Sequence, residues 1–217
     1  MTPTPFTYTA PAAPASYAWE ATDEAVAARY GLPIERIVRF DLNTAPTPPA
    51  LIADLLAAGR FETTLSEYPP ADYRRLTEAA ADRFGVGTDE VLVGAGADEV
   101  LDIIGKVFLS PGSRAVVPIP TYAMYRVITE QRGALVVPVR RLGPVDGHGL
   151  DAPAVRAAAR DAAVVWLCSP NNPTALPETD GVIDALLADI LDDARTDGRA
   201  APIVVLDEAY AEFVGRS

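Results

Sequence analysis

The sequence has one cysteine, one histidine and one lysine in 217 residues, and each scarcity closes off a chemistry. With Cys168 alone, no intrachain disulfide can form, which fits a reducing, cytoplasmic setting. Cys168 itself reads as a small buried residue closing a strand. The only histidine, His148, lies in Gly147-His148-Gly149, a surface turn, so no histidine-based metal centre is expected. No apolar run approaches the ~20 residues of a membrane-spanning helix. Residues 1–15, rich in Pro, Thr and Ala, lack the basic and apolar stretches of a secretory signal. Cations are few as well: 18 Lys and Arg stand against 30 Asp and Glu, for a net charge of −12. Nucleic acid and anionic membrane both reward clustered Lys and Arg, so neither is expected as a partner. A phosphate-bearing small molecule is still compatible, because helix N-termini and local arginines bind phosphate.

What is present is ample apolar material, 49% of residues, which excludes wholesale disorder. Residues 1–35 read as an N-terminal arm and a short helix, Thr22 to Tyr30, with Thr22 as its cap and Gly31 past its end. Arg39 to Asn43 reads as a short extended piece. The Pro46-Thr47-Pro48-Pro49 cluster opens a helix from Ala50 to Ala58, and an amphipathic helix follows from Ala71 to Phe84. The rhythm then becomes strand–helix–strand. Short apolar runs at Val91–Val93, Ala115–Val117, Leu135–Val139, Val164–Leu167 and Ile203–Leu206 alternate with helical patterns at Asp98–Leu109, Tyr122–Gln131, Pro153–Arg160 and Gly181–Arg195. Runs rich in β-branched residues between helices mark a parallel sheet covered on both faces. The fold class is α/β, with ligands expected at the C-terminal ends of the strands.

Four stretches carry chemistry. Gly94-Ala95-Gly96-Ala97-Asp98-Glu99 follows a strand and opens a helix. Its glycines allow close backbone approach, and the first helical turn offers N–H groups to an anion. It fails as a dinucleotide fingerprint because Glu99 stands where glycine is needed, and alone it serves equally as a tight turn. Pro120-Thr121-Tyr122 follows the next strand, and an aromatic there can stack on a flat ring; alone, Tyr122 also fits as an ordinary core or surface aromatic. Ser169-Pro170-Asn171-Asn172-Pro173-Thr174 fixes an irregular turn with an amide at a strand end. Asp207 closes Ile203-Val204-Val205-Leu206, a run that reads as a buried strand. A carboxylate there loses hydration and needs a cation or donor partner. A protonated pyridine nitrogen is such a cation.

In this order, the four stretches resemble the fold-type I pyridoxal 5'-phosphate aminotransferases of class I/II, and within them the histidinol-phosphate branch. The resemblance covers residues 36–217. It implies the N-terminal part of a three-layer α/β/α large domain, truncated before the last sheet strands and the small C-terminal domain. It also implies roles. The backbone of Ala97 and Asp98 would bind the cofactor phosphate, Tyr122 would stack on the ring, and Asn172 and Tyr210 would hydrogen-bond the ring hydroxyl. Asp207 would pair with the pyridine nitrogen. Tyr68 would reach the phosphate of the neighbouring subunit of a homodimer, and Asn43 would lie near the substrate. The implied reaction is transamination between a phosphorylated amino substrate and a 2-oxo acid.

There are departures from the pattern. The segment Asn43-Thr44-Ala45-Pro46 lacks two polar side chains of its family counterpart, and Ala175 stands where the family has glycine. The chain ends ten residues after Asp207, before the family's Ser-x-x-Lys segment, and its only lysine, Lys106, sits well inside a helix. The family's sheet order, 3-2-4-5-6-7-1, leaves Val91–Val93 without a neighbour and the Ile203–Leu206 strand with an open apolar edge. A chain inactive alone is therefore expected. It would be either the N-terminal part of an aminotransferase or one half of a split enzyme. A related phospho-amino-acid decarboxylase shares the same ring-binding residues and is the remaining alternative.

Overall fold

The computed structural model describes residues 15–17, 20–44, 47, 49–59 and 66–215. The expectations placed on residues 1–14, on Ala45 and Pro46, and on Pro48 lie outside them. The chain forms two compact units, residues 18–93 and residues 94–217 together with 1–17.

The 18–93 unit is helical. In α1 (Asp23–Tyr30), the Thr22 hydroxyl accepts from the Ala25 N–H at 3.2 Å, and Gly31 ends the helix at φ 63°. Both caps agree with the sequence reading. Helix α2 spans Ala50–Ala57 and α3 spans Arg74–Phe84. Helix α3 begins three residues later than expected, because Tyr73 takes a left-handed conformation, φ 45°, and breaks the helical path. The expected extended piece at Arg39–Asn43 is irregular. Arg39 instead turns back onto Asp23 and Asp41, at 2.8 and 2.7 Å. Val91–Val93 is no strand either. A strand exists through its ladder of hydrogen bonds, and among the described residues none pairs with it.

The 94–217 unit is a three-layer α/β/α sandwich. Its helices are α4 (Gly96–Phe108), α5 (Met124–Gln131), α6 (Ala152–Ala159) and α7 (Val182–Thr196). Its strands are β1 (Arg114–Ile119), β2 (Leu135–Arg140), β3 (Val164–Cys168) and β4 (Ile203–Asp207). The sheet runs β2-β1-β3-β4, every pair parallel. Side chains alternate across it, as the two-residue strand period requires. Ala115, Val117, Val164 and Trp166 face a core with Leu101 of α4 and Tyr125 and Ile128 of α5. Val116, Val165 and Leu167 face a second core with Val155 of α6 and Leu186 and Ile190 of α7. Two apolar faces explain why these strands read as unbroken hydrophobic runs. Strand β4 is the exception. Its run is as apolar as a buried strand, yet it lies at a sheet edge, with Ile203 38% and Leu206 37% exposed, which is the open apolar edge that the resemblance implied.

Helices α4 and α5 meet closely at Gly105, where an added Cβ would overlap the Cγ2 of Ile128. Gly105→Ala is therefore expected to destabilise the unit by about 1–2 kcal/mol, the overpacking cost less the gain in helix propensity. Chemical denaturation would measure this, and in an Ile128→Ala background the same substitution should cost much less.

Candidate functional site

The parallel register brings the C-terminal ends of β1, β3 and β4 to one side of the sheet, with Cys168 directly opposite Asp207. Around them lies a cavity of about 240 Å³. Of the residues singled out in the sequence, Ala97, Asp98, Tyr122, Asn172, Asp207 and Tyr210 all line it. Asn43 and Tyr68 belong to the 18–93 unit and are both exposed.

The start of α4 forms one wall. Gly96 is left-handed, φ 78°, and a Cβ on Gly94 would come within 2.9 Å of Val100 Cγ2, so both glycines are needed for this tight entry. Glu99, the residue that spoils the dinucleotide fingerprint, turns back and accepts from the Ala95 N–H at 2.5 Å. The N–H groups of Ala97 and Asp98 lie in the first turn, where no preceding helical carbonyl can take them, and the helix dipole makes this end attractive to an anion.

Tyr122 lies on the loop after β1. Its hydroxyl donates to both carboxylate oxygens of Asp98, at 3.0 and 3.2 Å. Burial, reinforced by that carboxylate, pushes its phenol well above the usual range, so it stays a neutral donor. Its ring meets Tyr125 edge-on, with centroids 5.8 Å apart.

Asp207 ends β4. The sequence reading sought a cation or donor for its carboxylate, and the chain supplies two neutral donors. Its Oδ2 accepts from the Tyr125 hydroxyl at 2.7 Å and its Oδ1 from the Ala209 N–H at 3.0 Å. Among the described residues no Lys or Arg forms an ion pair with it. Cys168 contributes to the same wall, its thiol pKa raised chiefly by burial.

The asparagine turn divides its labour. Asn172 faces the cavity, while Asn171 is buried and holds the loop. Asn171 Oδ1 accepts from Thr121 at 2.8 Å and from Arg141 Nη2 at 3.0 Å, and its amide donates to the Pro120 carbonyl at 3.2 Å. Arg141 also pairs with Glu178; the two side chains are only 1% and 4% exposed. Glu178 Oε2 accepts from the Leu150 N–H at 2.9 Å. This buried Asn171–Arg141–Glu178 network ties the end of β2 to the asparagine turn, and the sequence reading missed it. Arg141 is one of two adjacent arginines at a strand end, and nothing local tells it from Arg140. Tyr125 was missed too, although its i, i+3 spacing from Tyr122 was a usable signal.

The donor set suits a flat, phosphate-bearing group with a protonated ring nitrogen. The helix start offers N–H groups to the phosphate, Tyr122 an aromatic face, Asn172 and Tyr210 polar groups, and Asp207 a carboxylate held by two hydrogen bonds.

The model of the family "Aminotransferase class I and II" matches residues 39–217, which include the whole cavity. The chain belongs to the class I and II aminotransferases. Among curated relatives it is 37% identical to the histidinol-phosphate aminotransferase of Methanothermobacter thermautotrophicus, over 88% of this chain and 48% of the relative. It is 38% identical to that of Symbiobacterium thermophilum, over 84% and 47%. Among solved structures it matches histidinol-phosphate aminotransferase from Sinorhizobium meliloti in complex with pyridoxal-5'-phosphate, with a TM-score of 0.68 and 25% identity, over 90% of this chain and 50% of that one. An aspartate aminotransferase from Thermotoga maritima, 19% identical with a TM-score of 0.67 over 84% and 48%, shares the fold. This aminotransferase chain thus spans about half the length of the curated relatives it matches.

Two stability predictions concern the asparagine turn and the network that supports it. Arg141→Met leaves Glu178 buried without its cation and should cost about 3–5 kcal/mol, whereas pairing it with Glu178→Leu should recover most of the loss; denaturant titration of the four proteins closes the cycle. Ala175, the departure from the family's glycine, sits at φ 58°. Ala175→Gly should relieve that left-handed strain and raise stability by about 1 kcal/mol, read as an increase in melting temperature.

Proposed function

We propose that the cavity is the ring- and phosphate-binding face of a pyridoxal 5'-phosphate site, in an aminotransferase acting on a histidinol-phosphate-like amine with a 2-oxo acid as acceptor. One observation carries the reading: six residues drawn from four separate stretches of sequence line a single small cavity, with an anion-attracting helix start and the Asp207 carboxylate both on its walls.

When bound, pyridoxal 5'-phosphate supplies a protonated ring that draws electrons from the α-carbon of an attached amine. The chain's own residues do the holding. The Ala97 and Asp98 N–H groups bind the phosphate, and Tyr122 covers one face of the ring. Asn172 and Tyr210 hydrogen-bond the ring hydroxyl. Asp207 accepts the ring N–H and so keeps that proton in place. Tyr68 is 98% exposed; by the family resemblance alone it is assigned to the phosphate site of a neighbouring subunit in a homodimer, and Asn43 to the substrate. The histidinol-phosphate relatives at 37% and 38% identity support the substrate class.

These residues do not include the amine that would hold the cofactor covalently. Lys106, the only lysine, projects from the last turn of α4 and pairs with Asp102 one turn earlier. These 217 residues by themselves therefore bind the cofactor reversibly and turn nothing over. The test combines spectral titration with pyridoxal phosphate and borohydride reduction followed by peptide mapping. Saturable binding that Asp207→Ala weakens at least tenfold, with no stoichiometric adduct on Lys106, is expected. Stoichiometric modification of Lys106 accompanied by transamination would overturn the assignment.

A further inference from the structure

We propose that Tyr125 is a positioning residue for the pyridine-nitrogen contact, holding the Asp207 carboxylate in the orientation that a ring N–H requires. The inference rests on the pyridoxal phosphate reading of the cavity and adds a residue that does not line it.

Tyr125 is fully buried. Its ring stacks on Trp166 of β3, with centroids 5.7 Å apart and planes 11° apart. The Trp166 indole N–H donates to the Thr129 hydroxyl at 3.2 Å, and that hydroxyl donates to the Tyr125 carbonyl at 2.6 Å. Main chain and ring are thus both anchored, and the phenol has one direction in which to point. It donates to Asp207 Oδ2 at 2.7 Å, while the Ala209 N–H holds Oδ1 at 3.0 Å. With one fixed donor on each oxygen, the carboxylate plane cannot turn, and its remaining lone pairs keep a set direction. Charge-assisted hydrogen bonds depend strongly on such alignment.

The phenol is suited to the task. Burial pushes its pKa far above the usual range, with Cys168 and Asp207 adding to the effect, so it donates at every pH at which the chain would work. The other titratable groups facing this pair are Cys168 on β3, Tyr122 with its partner Asp98 at the start of α4, and Tyr210 beyond β4. Cys168, Tyr122 and Tyr125 all have raised pKa values, so none of them gains charge near neutral pH.

The test uses pyridoxamine 5'-phosphate labelled with ¹⁵N in the ring, because it binds without a lysine. Ring-nitrogen shift is followed against pH on the 217-residue chain. In the parent protein the bound ring should stay protonated to higher pH than the free compound. Tyr125→Phe should lower that midpoint by about one pH unit and weaken binding about tenfold, the scale on which such supporting contacts act. Ile128→Val, in the same core but away from the hydroxyl, should lower the melting temperature and leave the midpoint alone. If Tyr125→Phe does not fold, Trp166→Phe, which trims the stacking partner, should move the midpoint in the same direction by less. An unchanged or raised midpoint in the variant, with pyridoxamine phosphate still bound, overturns the positioning role and leaves the pocket assignment standing. No binding by the parent chain, or a midpoint indifferent to Asp207→Asn, overturns the pocket assignment and this inference with it.

Discussion

The site depends on the parallel pairing of β1, β3 and β4. Three strand ends can deliver side chains to one cavity only if the strands run the same way and end at the same level. The register secures this: Cys168 faces Asp207, and the Ser169 N–H carries the ladder one step further onto the Asp207 carbonyl at 3.0 Å. A parallel sheet needs crossover helices, and these bury both faces. The same constraint therefore produces the two apolar cores, the unbroken hydrophobic strands and the cluster of loops at one end.

Onto this apolar frame the unit sets two polar arrangements with different tasks. The Asn171–Arg141–Glu178 network is almost wholly desolvated and is costly to break. It fixes the backbone of the asparagine turn and so aims Asn172. The Tyr125–Asp207 bond lies at the boundary between core and cavity, where it fixes the direction of one carboxylate. In both cases the residue facing the cavity is held by a buried neighbour that never reaches the ligand space. Asn171 serves Asn172 in this way, and Tyr125 serves Asp207.

Composition and pairing are separate determinants. Val91–Val93 has the composition of a strand but no ladder, and β4 has the composition of a buried strand but lies at an edge, both as the sheet order implied by the resemblance led one to expect. Composition reports the environment a segment is suited to, whereas pairing reports which neighbours are there. Tyr73 cut α3 short through a backbone conformation that its residue type does not advertise. The stretches that carry the cavity residues were legible because each follows or ends a strand, or opens a helix, where local geometry projects side chains out of the sheet; which residue in each stretch matters was implied by the family resemblance alone.

The sequence by itself determined the α/β alternation, the caps of α1 and the presence of a single lysine, because these depend on residue type, local period and chain order; the six cavity residues were singled out only through the resemblance of the ordered motifs to a known family. Only the tertiary structure decided that Asn171 is buried while Asn172 faces the cavity, that Arg141 pairs with Glu178 across 37 positions, and that the partner of Asp207 within the chain is a tyrosine 82 positions away. Those choices are made by packing between elements distant in sequence, and no local pattern encodes which of two adjacent asparagines, or of two adjacent arginines, will point inward.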